Sequence, residues 1–336
     1  MKKSFIPVVL ILVACLLVMT SCADQAGENG GSSTTAEPVE IVLIDRDGNE
    51  KTVDLTKFEI VSGEASFKKS TGAIVGPASF KGPKLVDVLA EIGGIKEGEA
   101  IAIVASDGYE MTLTYDQVMG KVMTYDKEGL ALQVGGVEAI VAIESSDEGV
   151  LENPPRICFI GEGQPITDGH FWVKDVAKIK IAESVEEWEL SVSGIEEAKC
   201  DRSTFESAAT CPDTTHPSQE WETTNKDGEK VVYKGVPLWV LVSMADGADT
   251  EDGHYRFNRD LAQKGYTVQV ISADGYTVEF NSKDVAYNDG IFLAHLANDK
   301  PLDADSGPLM LVGPNLPDKK HMVKQVKEIK LVNLPE

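Results

Sequence analysis

The feature that most constrains the fold is a stretch of sequence that occurs twice. The second copy opens with YKGVPLW at 233–239 and turns at Asp274-Gly275-Tyr276. The first copy opens with FKGPKL at 80–85 and turns at Asp107-Gly108-Tyr109. Both copies hold the same elements in the same order, and a long internal repeat of this kind reflects a repeated structural unit. We therefore predict two structurally equivalent halves.

Each copy predicts a helix, a hairpin and a closing strand. In the first copy, apolar residues at 85, 88, 89 and 92 form one helical face, and glycines at 93 and 94 end it. In the second copy, the matching face lies at 238, 241, 242 and 245, and Gly247 ends it. The Asp-Gly dipeptides lie between β-rich runs, which is typical of tight hairpin turns. Matching runs at 173–181 and 323–331 predict the closing strands.

Four segments of the second copy, at 233–238, 272–276, 307–312 and 323–326, match a known family. With them, the repeated unit resembles the oxidoreductase molybdopterin-binding domain, the fold of sulfite oxidase and its bacterial relatives. The resemblance implies an α+β fold with two tandem sulfite-oxidase/molybdopterin-binding-like domains, built from mixed β-sheets and short helices, at 39–183 and 184–336. It covers most of the chain after residue 38. It implies less about activity, because one fold can carry many functions.

The start of the chain predicts an export signal. A short basic segment precedes an almost unbroken apolar run from Phe5 to Met19, and Thr20-Ser21-Cys22 follows. This ending resembles a bacterial lipobox, which implies removal of residues 1–21 as a lipoprotein signal peptide and lipidation of Cys22. A transmembrane anchor is the alternative, although the run is short for a span. Both interpretations place the protein at the extracytoplasmic face of the cell membrane.

The linker and the net charge limit the expected partners. Residues 22–38 are rich in Gly, Ser, Thr, Glu and Pro, which is typical of a flexible linker. The chain carries a formal net charge of −24 at pH 7, and such a surface repels phosphate backbones. We therefore expect no nucleic-acid partner. The expected partners are the membrane, reached through the lipid anchor, and either a small-molecule ligand or another envelope protein.

Two cysteines in the second half are candidates for chemistry. Sulfite oxidase relatives bind molybdenum through one cysteine that lies shortly before the aromatic-x-Gly motif, so the resemblance implies that Cys211 is the candidate metal ligand. The matching segment of the first half, 60–79, contains no cysteine. Three alternatives stay open: a disulfide between Cys200 and Cys211, a metal or cofactor thiolate, and two free thiols. A site that combines Cys211 with His216 fits no strong zinc spacing.

The resemblance also implies where a ligand would bind in the second half. The cofactor rim of this fold corresponds to 211–221, 273–276 and 315–321. Within it, Tyr276, Lys320 and His321 are the candidate cofactor-binding residues besides Cys211, and His170 occupies the corresponding end of the first half. Aromatic faces and local positive charge on an acidic protein favour an anionic or aromatic small molecule.

Two observations argue against a molybdenum enzyme. A phosphate-bearing pterin favours an arginine-rich pocket, whereas the arginines after the linker are scattered at 46, 156, 202, 256 and 259. The export signal carries Lys2 and Lys3 in place of an arginine pair, which indicates export of an unfolded chain. We therefore expect a non-catalytic binding or redox-accessory module without a bound cofactor. The alternative is a molybdopterin-dependent oxidoreductase with molybdenum on Cys211.

Overall fold

The computed structural model describes residues 37–335 except 152, 213–216, 226–227 and 249–254. The export signal, Cys22, almost the whole predicted linker, His216 and His254 lie outside the described residues. Residues Pro38–Glu336 form one compact unit. Among the described residues, no helix combines the length and the apolar character needed to cross a membrane.

The first half is built from short strands with few helices. Its strands are β1 (Glu40–Ile44), β2 (Glu50–Asp54), β3 (Ile60–Lys68), β4 (Ile74–Pro83), β5 (Glu99–Ala105), β6 (Glu110–Thr114), β7 (Met123–Tyr125), β8 (Ala131–Val134), β9 (Glu138–Ala142), β10 (Glu144–Ser145), β11 (Arg156–Ile160), β12 (Ile166–Asp168) and β13 (Val176–Glu183). Its helices are α1 (Leu85–Ala90), α2 (Tyr115–Val118) and α3 (Glu148–Leu151), with 3-10 turns η1 (Leu55–Lys57) and η2 (Gly169–Phe171).

The second half has a similar composition of elements. Its strands are β14 (Glu189–Ser193), β15 (Glu197–Asp201), β16 (Gln219–Thr224), β17 (Lys230–Pro237), β18 (Thr267–Ser272), β19 (Thr277–Asn281), β20 (Phe292–Ala297), β21 (Lys300–Pro301), β22 (Met310–Val312) and β23 (Val326–Val332). Its helices are α4 (Arg202–Thr210), α5 (Leu238–Ser243), α6 (Arg259–Lys264) and α7 (Ser282–Val285), with the 3-10 turn η3 (Lys319–His321).

Each half contains a five-stranded sheet with the same strand order. The order is β2-β1-β13-β5-β6 in the first half and β15-β14-β23-β18-β19 in the second. In both sheets the first strand of the half pairs in parallel with the closing strand. The predicted Asp-Gly hairpins are confirmed, because β5 pairs antiparallel with β6 and β18 with β19.

The remaining strands form further sheets in each half. In the first half they make a six-stranded sheet, β10-β4-β3-β12-β7-β8, and the pair β9-β11. In the second half the order is β16-β17-β20-β21, and β22 pairs with β20. The protein is therefore mostly β-sheet with short helices, which confirms the predicted mixed-sheet α+β class at that level.

The cores follow from alternation along the strands and from the predicted helix faces. Buried and half-buried residues alternate along β6 and β18, as expected when one face of a sheet covers a core. The predicted face of α1 is buried at Leu85, Val88 and Leu89, and Gly93 ends the helical segment with a positive φ of 86°. Each half has its own large apolar cluster. The side chains that line a site therefore project from two well-packed scaffolds.

Candidate functional site

A cleft of about 390 Å³ lies between the two halves. One wall is the turn that joins β3 to β4, together with Tyr125 of β7 and the β12–η2 segment. The other wall comes from the second half and includes Lys199 and Asp201 at the end of β15. The residues that line it are Lys68, Lys69, Ser70, Thr71, Gly72, Tyr125, Asp168, His170, Lys199, Asp201, Thr204, Met244 and Tyr255. The cleft is predominantly polar and brings together segments that are distant in sequence.

A histidine–aspartate pair forms part of the cleft wall. Asp168 precedes η2 and accepts a hydrogen bond from the backbone N–H of His170 at 2.9 Å. The His170 Nδ1 lies 3.0 Å from Oδ1 of Asp168, an ion-pair distance, although the two atoms are not aligned as a hydrogen bond requires. Burial lowers the pKa of His170, but the proximity and charge of Asp168 and the charge of Asp201 outweigh it, so the pKa is raised. The ring is therefore charged over a wider pH range than a free histidine.

Lysines give the cleft local positive charge on a strongly acidic protein. The Lys68 ammonium lies 3.7 Å from the centre of the Tyr125 ring and donates to the Gly129 carbonyl at 3.3 Å. Lys199 pairs with Glu189 at 2.8 Å, but both side chains are largely exposed, so this pair holds the lysine only weakly. No described residue forms a hydrogen bond or ion pair with the Lys69 ammonium. The cleft therefore offers cationic donors to a ligand.

The two carboxylates of the cleft are already engaged. Asp168 is matched by His170 and by the charge of Lys68. Asp201 is the N-cap of α4 and accepts from the Thr204 N–H at 2.8 Å. Burial raises the pKa of Tyr125, and the negative charges of Asp168 and Asp201 raise it further. Among the described residues that line the cleft, the balance of uncommitted charge is therefore positive.

The structure brings three predicted rim residues of the second half together. The Tyr276 hydroxyl donates to the Lys320 carbonyl at 3.0 Å, and the His321 Nδ1 lies 2.9 Å from Oδ1 of Asp318. The first half repeats the arrangement, since the Tyr109 hydroxyl lies 3.3 Å from the His170 carbonyl. Tyr276, Lys320 and His321 do not line the cleft between the halves.

Cys211, the candidate metal ligand, is not bridged to Cys200. Neither thiol forms a disulfide. Cys200 is buried on β15, and burial raises the pKa of its thiol. Helix α4 lies between the two cysteines in the chain. The structure shows no disulfide between them.

The surroundings of Cys211 do not fit a molybdenum–pterin group. Cys211 lies beside Tyr109, whose pKa is raised mainly by burial. It caps the C-terminus of α4, where the helix dipole disfavours a thiolate. Three of the five arginines after the linker are committed elsewhere: Arg46 to Glu99, Arg156 to the Trp172 carbonyl, and Arg202 to Glu187 and Glu206. Among the described residues, no group of three or more His, Cys, Asp or Glu side chains is arranged to hold a metal ion.

Helix α4 joins the halves through polar side chains that the sequence analysis did not single out. Strand β6 is one edge of the first five-stranded sheet, and its backbone groups bond to side chains of the helix. The Thr112 N–H donates to Glu206 at 3.0 Å, and Arg202 donates to the Thr112 carbonyl at 3.0 Å. Thr210 accepts from the Glu110 N–H at 3.1 Å and donates to its carbonyl at 2.9 Å. Side chains of α4 therefore bind backbone groups of β6 that would otherwise be unpaired at the edge of the sheet.

Comparison with known proteins gives little beyond the structure itself. No family model matches the chain. No curated protein matches it. Among solved structures, the chain is similar to the sulfane dehydrogenase SoxCD from Paracoccus pantotrophus, with 12% identity and a TM-score of 0.29. The match covers 71% of this chain, and the chain spans 58% of the length of that one. A likeness this distant does not identify a family.

Proposed function

We propose that the protein is a non-catalytic binding module, lipid-anchored at the extracytoplasmic face of the membrane, that binds a small anionic ligand between two sulfite-oxidase-like domains. The observation that carries the proposal is the cleft, where Lys68, Lys69, Lys199 and His170 converge on a protein of net charge −24. The matching strand order of the two five-stranded sheets supports the tandem-domain part. The poor fit of Cys211 to a metal–pterin group favours binding over catalysis.

The ligand site is tested with inorganic phosphate and sulfate as probes. Binding to the folded state stabilises it by about 2.7 kcal/mol at a hundredfold excess over Kd, so thermal unfolding and calorimetric titration both report it. The double variant Lys69→Gln, Lys199→Gln is expected to weaken anion binding about tenfold. The control Lys319→Gln, Lys320→Gln makes the same charge change at the second-half rim. Equal weakening by the two variants would reduce the effect to net charge and remove the cleft as the site.

The non-catalytic part of the proposal is tested by metal and pterin analysis of protein made in its native host. We expect molybdenum far below one per chain, because three of the five arginines after the linker are committed to internal partners and Cys211 lies at the C-terminus of α4, where the helix dipole disfavours a thiolate. Molybdenum near one per chain, lost in Cys211→Ser, would overturn this part and favour an oxidoreductase.

The anchor is tested by metabolic labelling with a fatty-acid analogue. Cys22→Ala is expected to abolish labelling and leave uncleaved precursor, because processing requires the lipidated thiol. Cys158→Ala is the matched control, since Cys158 is fully buried on β11 and unavailable for acylation. Equal labelling of the wild type and Cys22→Ala would remove the lipoprotein part of the proposal.

A further inference from the structure

One face of the six-stranded sheet carries the cleft and continues into apolar surface. Asp168 of β12 lies opposite Lys68 of β3, and Tyr125 of β7 lines the same cleft. Side chains two residues apart on a strand point to the same face. Met123 therefore shares the face of Tyr125, whereas Thr124 between them is buried on the other side. Val134 of β8 lies directly opposite Met123 and extends the face outwards.

The side chains on this extension are apolar and exposed. Val134 is 60% exposed, the neighbouring Leu132 is 64% exposed, and Met123 is 37% exposed. Isolated exposed apolar residues are ordinary on a protein surface, but adjoining ones beside a ligand site indicate a binding surface. This apolar extension, defined by Met123, Leu132 and Val134, begins where the polar cleft ends at Tyr125.

Pairing with a further β-strand does not account for the extension. β8 is the edge of its sheet. Its register with β7 is interrupted, because Thr124 lies opposite Gln133 and Tyr125 opposite Ala131, which leaves Leu132 as an extra residue. A bulge of this kind twists an edge and disrupts the ladder that an added strand needs. What the extension offers is apolar side-chain surface, continuous with a cationic cleft.

We propose that the ligand is an anionic amphiphile, with its charged head in the cleft between the halves and its alkyl chain on Met123, Leu132 and Val134. This inference rests on the proposed function, since it specifies the ligand class of the same site. Head and chain are recognised by different physical terms: the lysines and His170 attract the charge, and the apolar extension removes the chain from water.

The inference is tested by calorimetric titration of an unlipidated form of the chain, which begins at Ala23, with three probes. Ethyl phosphate carries the head alone, octyl phosphate below its micellar concentration carries head and chain, and octyltrimethylammonium carries the chain with the opposite charge. A fully buried methylene strengthens binding about fourfold. Partial burial of six additional methylenes is therefore expected to make octyl phosphate bind at least about tenfold more tightly than ethyl phosphate.

Variants separate the head from the chain. The double variant Met123→Gln, Val134→Asn is expected to remove the tenfold advantage of octyl phosphate and to leave ethyl phosphate within about twofold, which also shows that the cleft is intact. The control is Ile195→Asn in the second half, whose apolar side chain is 52% exposed and does not line the cleft. The control is expected to retain the advantage.

Each other outcome is decisive. Equal affinity for ethyl and octyl phosphate overturns the amphiphile and leaves the proposed anion site standing. Binding of neither phosphate overturns the anion site and the amphiphile together. Equal binding of octyltrimethylammonium, or loss of the advantage in Ile195→Asn, shows non-specific adsorption of alkyl chains and overturns the inference.

Discussion

His295 shows how far the environment of one residue can shift its chemistry. It lies on β20 with its ring 5.3 Å from that of Phe205, and its Nδ1 is buried without a hydrogen-bond partner. The residue as a whole is only half-buried, but the imidazole is enclosed. Burial lowers the pKa of His295 to about 4, the nearby charge of Arg202 adds to the effect, and a hydrogen bond to the Lys234 backbone opposes it. The sequence showed only an isolated histidine.

This shift predicts an acid-dependent loss of stability. An unfolded histidine has a pKa of about 6.5. Between pH 6.5 and 4, residue 295 is therefore protonated in the unfolded state and neutral in the folded state. The free energy of unfolding therefore decreases as the pH falls through this window, by up to about 3 kcal/mol. Urea unfolding at pH 7.5 and pH 4 is expected to show this excess loss in the wild type relative to His295→Gln. Equal losses in the two proteins would contradict the enclosed imidazole.

His170 is expected to show the opposite dependence of stability on pH. Its pKa is raised in the folded state, so its contribution to stability is fully present below the unfolded pKa and is lost as the pH rises through the folded pKa. His170→Asn is therefore expected to lose less stability than the wild type on going from pH 6 to pH 9. A wild type whose stability relative to His170→Asn rises over this range would contradict the Asp168 pairing.

At the scale of elements, the structure explains why the repeated motif contains glycine. A Cβ added at Gly82 would lie 1.9 Å from the Val141 carbonyl oxygen, and one at Gly235 would lie 1.8 Å from that of Leu293. In each half, the strand that carries the motif passes too close to a neighbouring backbone for any side chain. The sequence predicted the element, but the reason for the glycine is a contact with a strand nearly 60 residues further along the chain.

Substitution of either glycine is therefore expected to lower the free energy of unfolding by a similar amount. Gly82→Ala and Gly235→Ala each force two backbone segments apart. Overpacking typically costs about 1–3 kcal/mol of the free energy of unfolding, and we expect both variants at the upper end of this range or above it, because the clash is with backbone. The control is Gly149→Ala in α3, where the nearest atom is a side-chain oxygen at 3.3 Å and stability is expected to be unchanged or slightly higher. Chemical denaturation measures all three. A cost below 1 kcal/mol at either motif glycine would contradict the close approach.

The elements that sequence reasoning recovered are those with local signals. The hairpins, helices α1 and α5 and the closing strands follow from periodicity and turn residues within each segment. Helix α4 was missed, although Asp201 as N-cap and the apolar Phe205, Ala208 and Ala209 mark it. Its polar residues Arg202, Glu206 and Thr210 carry no local signal of their partners, because the strand that they bind lies about 90 residues earlier.

The same limit applies to the candidate site. Tyr276, Lys320 and His321 were predicted to lie together and do so, because they belong to one repeated unit. The cleft that provides the stronger site joins Lys68 and Tyr125 of the first half to Lys199 of the second. Single lysines carry no local signal that identifies a partner so far along the chain. Only the packing of the two halves brings them together.

At the scale of the whole molecule, helix α4 makes the two halves depend on one another. Arg202 is 1% exposed and binds Glu187 and Glu206 of the second half together with the Thr112 carbonyl of the first. If the halves separated, Arg202 and Glu206 would lose the hydrogen bonds that they make with the β6 backbone groups. Loss of one member of such a buried polar network strongly destabilises the fold.

We therefore expect the halves to unfold in a single cooperative transition, which calorimetry tests directly. Arg202→Met leaves Glu206 buried without its partner, so it is expected to cost about 3–5 kcal/mol and to lower the midpoint of the whole transition. Lys230→Met is the matched control: it also removes a salt-bridged cation, but Lys230 and Glu222 are 78% and 60% exposed, so the expected cost is below about 1 kcal/mol. Two resolved transitions in the wild type, or equal effects of the two variants, would show that the polar contacts of α4 do not couple the halves.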